Sequence, residues 1–121
     1  PLLLMLPVAT AVHPCLSDDP HTVSRFIFDM SDADRNGLLS FREGYRLQEV
    51  TNPNLRLTWR DWITLCRAVG ASPRYGMQQD AFVRTYTDRR VSQAIGSDAL
   101  ADRAIICGRH TFILGASDRS A

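Results

Sequence analysis

The chain has 121 residues, 45% hydrophobic and 22% charged, a length that suits one domain and a composition that excludes wholesale disorder and low-complexity classes. Its 14 cationic residues are all arginine and, against 13 acidic ones, leave a net charge of +1. A nucleic-acid binder would gather such cations on one stripe. The densest basic point, Arg89-Arg90 beside Asp88, reads as a solvated helix face, so no nucleic-acid partner is expected.

Residues 1–11 hold the apolar run Pro1 to Val8 followed by Ala9-Thr10-Ala11. This has the shape of the end of a truncated secretory signal peptide with cleavage after Ala11, which predicts a secreted protein. A cytoplasmic protein is the alternative if the segment is no signal. No stretch approaches the roughly 20 apolar residues that a membrane span needs. Cys15, Cys66 and Cys107 allow one disulfide at most: either Cys66 pairs with Cys107 or both remain buried free thiols. With no CxxC and with His13, His21 and His110 scattered, zinc is not expected.

Ser17-Asp18-Asp19-Pro20 reads as a helix start, with oxygen-bearing caps and a proline where the first turn tolerates one. Val23, Phe26, Ile27 and Met30 then repeat at helical spacing and predict one buried stripe. After a polar, glycine-containing loop, a second helix carries Phe41, Tyr45, Leu47 and Val50, and Thr51-Asn52-Pro53-Asn54 ends it. Thr58 with Asp61 forms a capping-box variant for a third helix. Its stripe is Trp59, Trp62, Ile63, Cys66 and Val69, which reads as core and not as a ligand-stacking surface. Met77 to about Ile95 reads as largely helical, Ser97 as the cap of a last helix over 97–107, and residues 109–121 as a tail. Almost nothing alternates with strand period, so the expected fold is all-α.

The loop between the first two helices carries the chemistry. From Asp32 as its first position, oxygen-bearing side chains fall at Asp34, Asn36 and Ser40, a glycine at Gly37, and Glu43 closes the twelfth. Random usage would place these five residue types, Asp, Asp, Asn, Gly and Glu, at those offsets on the order of once in 10⁵ starting points, which argues against a plain polar turn. Asp32-Ala33-Asp34-Arg35-Asn36-Gly37-Leu38-Leu39-Ser40-Phe41-Arg42-Glu43 resembles an EF-hand calcium-binding loop, with its two arms on either side. Calcium is a hard ion that takes about seven oxygens at roughly 2.4 Å from a chain that must wrap it. The resemblance implies ligands from Asp32, Asp34 and Asn36, from the Leu38 carbonyl after the turn at Gly37, from Ser40 through a water, and from both oxygens of Glu43. Leu39 becomes the apolar anchor that pairs with a neighbouring loop. Gly44 departs from the pattern, which commonly has an aromatic there, and predicts atypical packing of the outgoing helix.

The partner helix-loop-helix is sought at Thr58 to about Arg90. With Met77 aligned on Leu39, its ligand positions become Gly70, Ser72, Arg74 and Ala81; shifting by one gives Val69, Ala71, Pro73 and Asp80. Neither set binds. The domain over 17–108 is thus expected to hold one competent hand (20–50), one degenerate hand (58–90) and an extra C-terminal helix.

Nucleophile elbows, phosphate-cradling loops and histidine metalloprotease motifs are absent from the sequence, so no enzyme is expected. Asp18-Asp19 is a capping cluster before it is a catalytic pair. The three ligand carboxylates are offset by Arg35 and Arg42 in the same loop, which argues against a very tight site; for a secreted protein a dissociation constant of about 10⁻⁴ to 10⁻³ M would suffice. The expected function is calcium binding in a structural role of the extracellular-matrix type, similar in plan to secreted EF-hand proteins, with a matrix protein as a candidate partner. The alternatives are an intracellular calcium sensor, disfavoured because Met30 and Met77 are the only methionines beyond the leader, and an interaction module in which calcium is incidental.

Overall fold

The computed structural model describes residues 13–108; the signal reading of 1–11 and the tail reading of 109–121 lie outside the described residues. A short 3₁₀ turn, Pro14–Leu16, leads into α1, Pro20–Ser31. The chain continues through β1 (Leu38–Leu39), α2 (Phe41–Thr51), α3 (Trp59–Ala68), β2 (Met77–Gln78), α4 (Gln79–Thr87) and α5 (Arg89–Ile95), and residues 99–108 form α6. The fold is all-α apart from one antiparallel ribbon that pairs Leu38 with Gln78 and Leu39 with Met77. Among the described residues no helix is long and apolar enough to cross a membrane.

Local chemistry sets most boundaries. The Asp19 carboxylate accepts the backbone N–H groups of His21 and Thr22 and, at 2.7 Å, the Thr22 hydroxyl. The Thr22 hydroxyl is the chief reason that the Asp19 carboxyl lies below its ordinary pKa. Complete capping boxes start α2 (Ser40 with Glu43) and α3 (Thr58 with Asp61). The stretch from Met77 to Ile95 is largely helical, as its pattern predicts, but it is divided into the strand β2 and the two helices α4 and α5. Asp88 takes an extended conformation, and its carboxylate caps α5 through the N–H groups of Arg90 and Val91. Ser97 does not cap α6. Its hydroxyl donates to the Thr85 carbonyl at 2.5 Å, and Asp98 caps the helix through Leu100 and Ala101.

The core gathers Val23, Ile27 and Phe28 of α1, Leu39 of β1, Trp62 and Cys66 of α3, Met77 of β2 and Phe82 of α4. α1 packs chiefly on α4, where Phe28 meets Phe82 at 5.6 Å between ring centroids. That contact rotates the buried stripe, so Phe28 is inside while Met30 is 52% exposed. Trp59 also lies outside the core, its ring edge-on to Phe41 at 5.3 Å, whereas Trp62 is 1% exposed. Gly44 has a steric reason: a Cβ there would lie 2.9 Å from Cζ3 of Trp62, so the indole fills the space of the missing aromatic.

Neither expected state of the cysteines occurs. Cys15 is bonded to Cys107, with Cα atoms 5.8 Å apart, across 92 residues of sequence. Cys66 is free and sealed in the core, where burial pushes its thiol up to about 11. The bridge ties the entry of α1 to the end of α6, two ends that local sequence patterns do not connect. In the chain-entropy account a loop of this length stabilises the fold by about 4.5 kcal/mol.

Candidate metal centre

The first loop begins where α1 stops. The Asp32 N–H closes the last helical bond to Phe28 at 2.8 Å, and its carbonyl accepts Arg35 N–H at 3.1 Å. Arg35 stands at φ 55° and Gly37 at φ 82°, so the chain twice enters the left-handed region, once at the expense of a side chain that disfavours it. Side-chain oxygens replace secondary structure inside the turn. Asp32 Oδ2 accepts the Gly37 N–H at 2.9 Å, Asp34 Oδ1 accepts Asn36 N–H at 3.2 Å, and Asn36 Oδ1 accepts Leu38 N–H at 3.0 Å. These bonds draw the loop's oxygens inward.

Glu43 closes the circle. Its Oε1 accepts Ser40 N–H at 2.9 Å and its Oε2 accepts Asp34 N–H at 3.4 Å, while Ser40 Oγ accepts Glu43 N–H at 3.2 Å. Asp32, Asp34 and Glu43 each bring a carboxylate oxygen within 4.8 Å of the other two. Asp32 and Glu43 are 6% and 7% exposed, so two of these three charges are held out of water. Asn36 and Ser40 are set on the same loop by the bonds above, and Leu38 by its pairing with Gln78 in the ribbon.

Two observations test whether a cation fits. Asp32 Oδ1 is buried without any hydrogen-bond partner, and a buried oxygen left so costs free energy. Among the described residues the one ion pair is Asp80 with Arg84, so neither Arg35 nor Arg42 neutralises the cluster. Two like charges about 5 Å apart repel by roughly 3 kcal/mol at an effective dielectric of about 20. A cation among the three carboxylates would remove that repulsion and satisfy Asp32 Oδ1. The donors are all hard oxygens, which suit calcium, magnesium or manganese better than a soft metal.

The second loop shows the opposite solution. The Trp62 indole N–H donates to the Pro73 carbonyl at 3.0 Å, and Nη2 of Arg84 donates to the Val69 carbonyl at 2.5 Å. Gly76 N–H bonds the Ser72 carbonyl at 2.7 Å, and Tyr75 N–H bonds Ser72 Oγ at 3.3 Å. Donors from the protein itself thus organise this loop. Sequence reasoning aligned Met77 with Leu39, and the ribbon pairs them. It missed Trp62 as an anchor of the second loop, and it missed Gly76, which adjoins that aligned methionine.

An open groove of about 740 Å³ reaches the ribbon residues Leu39 and Met77, with Leu47, Trp62 and Phe82 also lining it and exposed Leu55, Ile95 and Ile105 along it. On its wall the Tyr86 hydroxyl donates to Asp102 Oδ2 at 2.5 Å. Burial, then the Asp102 charge, pushes the tyrosine well above its ordinary pKa; burial, then Asp98, raises the Asp102 carboxyl despite the Tyr86 bond. In comparisons with known proteins the chain matches no protein-family model, and no curated protein or solved structure matches it significantly.

Proposed function

We propose that the protein binds a single calcium ion in its first loop, in the manner of an EF-hand, and that the ion serves a structural role in an extracellular setting. The observation that carries this reading is the buried, unpartnered Oδ1 of Asp32 beside Asp34 and Glu43. Asp32, Asp34, Asn36, the Leu38 carbonyl, Ser40 and Glu43 supply oxygen donors. When bound, the ion supplies a charge that holds the exit of α1 to the entry of α2. A structural role is supported by the ribbon, which already anchors the loop through fully buried Leu39 and Met77. The extracellular setting is supported by the Cys15–Cys107 bridge, a bond that persists in oxidising compartments.

Calorimetric titration with calcium tests the reading. The expected result is one saturable site with a dissociation constant of about 10⁻⁴ to 10⁻³ M and no heat beyond dilution in Glu43→Gln. Equal heats for the two proteins would remove the first loop from the account.

One observation favours a second reading, a regulatory calcium protein. The apolar groove has Asp61, Asp98 and Asp102 along it against Arg56, a charge pattern suited to a basic amphipathic helix. An apolar dye whose fluorescence rises on calcium addition supports regulation, whereas a calcium-independent signal supports the structural role.

A further inference from the structure

Gly76 sits in the second loop, far in sequence from every oxygen assigned to the ion, yet its backbone presses on the first loop. Its φ is +100°, and a Cβ built there would lie 2.4 Å from the Leu39 carbonyl oxygen, 2.9 Å from the Leu39 carbonyl carbon and 3.3 Å from Ser40 Cα. All three are backbone atoms, so no side chain can swing aside to admit a methyl group. We propose that Gly76 is a positioning residue for the metal loop. By letting the second loop close onto Leu39 and Ser40, it sets the ion affinity of a site it does not touch. The inference rests on the calcium reading above.

The route from Gly76 to the ion is short. Ser40 N–H holds Glu43 Oε1 at 2.9 Å, and Ser40 Oγ holds Glu43 N–H at 3.2 Å. A displacement of the Leu39–Ser40 backbone therefore moves the closing carboxylate relative to Asp32 and Asp34. The second loop is poorly able to absorb that displacement. Gly76 is bonded to the Ser72 carbonyl at 2.7 Å, Pro73 is held by the Trp62 indole at 3.0 Å, and the next residue, Met77, is fully buried. Trp62 is itself seated against Gly44, the residue after Glu43. Two contacts, Gly76 on Leu39–Ser40 and Trp62 on Gly44, thus fix the backbone on both sides of Glu43 before any ion arrives. Preorganisation of this kind lowers the ordering cost of binding. A first loop without its rigid neighbour has to meet that cost at each binding event.

The decisive comparison is Gly76→Ala against Gly70→Ala. Gly70 lies in the same loop at φ +71°, with nothing within 4 Å of an added Cβ, so its variant carries the backbone penalty without the collision. Calcium titrations well below each melting temperature, on proteins with native circular dichroism, should show affinity at least tenfold weaker for Gly76→Ala and less than twofold changed for Gly70→Ala. Terbium bound in the first loop should report at least one more coordinated water by its luminescence lifetime in Gly76→Ala, a change that lost stability alone does not produce. Trp62→Phe keeps a ring in the core but frees the Pro73 carbonyl, and should weaken calcium at least threefold; it decides the matter should Gly76→Ala not fold. Wild-type affinity in Gly76→Ala, or in Trp62→Phe where that variant decides, overturns the inference if Glu43→Gln still abolishes binding. Absence of saturable binding in the unaltered protein overturns the calcium reading and this inference together.

Discussion

The two loops solve one folding problem in opposite ways. Both must return the chain from one helix to the next and present two residues to a shared ribbon. The second loop does so with covalently attached donors: the Trp62 indole on Pro73 and the Arg84 guanidinium on Val69. The first gathers three carboxylates, two of them buried, and leaves one buried oxygen unpartnered. A loop saturated from within has no need of an ion, and a loop under internal repulsion gains from one. On the proposed calcium reading, the first loop holds the ion and the second serves as its rigid support.

The largest effect is expected where that support is anchored. Trp62→Ala removes a fully buried indole from the core and from Pro73, and should destabilise the protein by about 3–5 kcal/mol. Denaturant melts should show most of this loss without calcium and a somewhat larger one with it, because Trp62 also preorganises the metal loop. A loss that appears only with calcium would break the distinction between the loops. Next comes the ion itself: at one hundred times its dissociation constant, calcium should add about 2.7 kcal/mol to the unaltered protein and nothing to Glu43→Gln. Thermal melts across a calcium series read this directly.

Arg35 offers a smaller effect of opposite sign. It holds φ 55° within the acidic loop, and Arg35→Gly should remove both the backbone cost, about 1 kcal/mol, and a cation near the site. The expected result is a higher melting temperature without calcium and calcium binding several-fold tighter. Unchanged values would separate Arg35 from the site.

The smallest effect lies on the groove wall, at Asp102. Burial and Asp98 raise the Asp102 carboxyl above its ordinary value of 3.8, so the stability tied to its protonated form is present below that value and is lost as pH rises through the folded pKa. Asp102→Asn keeps an acceptor for Tyr86 and carries no charge. Its melting temperature relative to the unaltered protein should rise between pH 3 and pH 7, with calcium affinity unchanged. A pH-independent difference would contradict the assignment.

The legible features were those written in neighbouring residues. Asp19-Pro20 and Thr58 with Asp61 are caps whose partners lie within three positions, and the spacing of Asp32, Asp34 and Glu43 brings one oxygen of each carboxylate within 4.8 Å of the others. Aligning Met77 with Leu39 also anticipated the ribbon, because the second helix-loop-helix keeps the outline of the first. What stayed hidden depends on tertiary contact. Cys15 and Cys107 meet only when both ends of the fold come together. Met30 and Phe28 exchange places because α1 faces α4. Asp88 divides a continuous helical pattern because its carboxylate caps the next helix more readily than it extends the last.

The proposed metal site turns on one oxygen atom, Asp32 Oδ1. A crystal structure grown in calcium should show a single ion at about 2.3–2.6 Å from Asp32 Oδ1 and from both carboxylate oxygens of Glu43, with Asp34 completing the acidic set. Only water at that position, with Asp32 Oδ1 turned to a protein donor, would contradict the account.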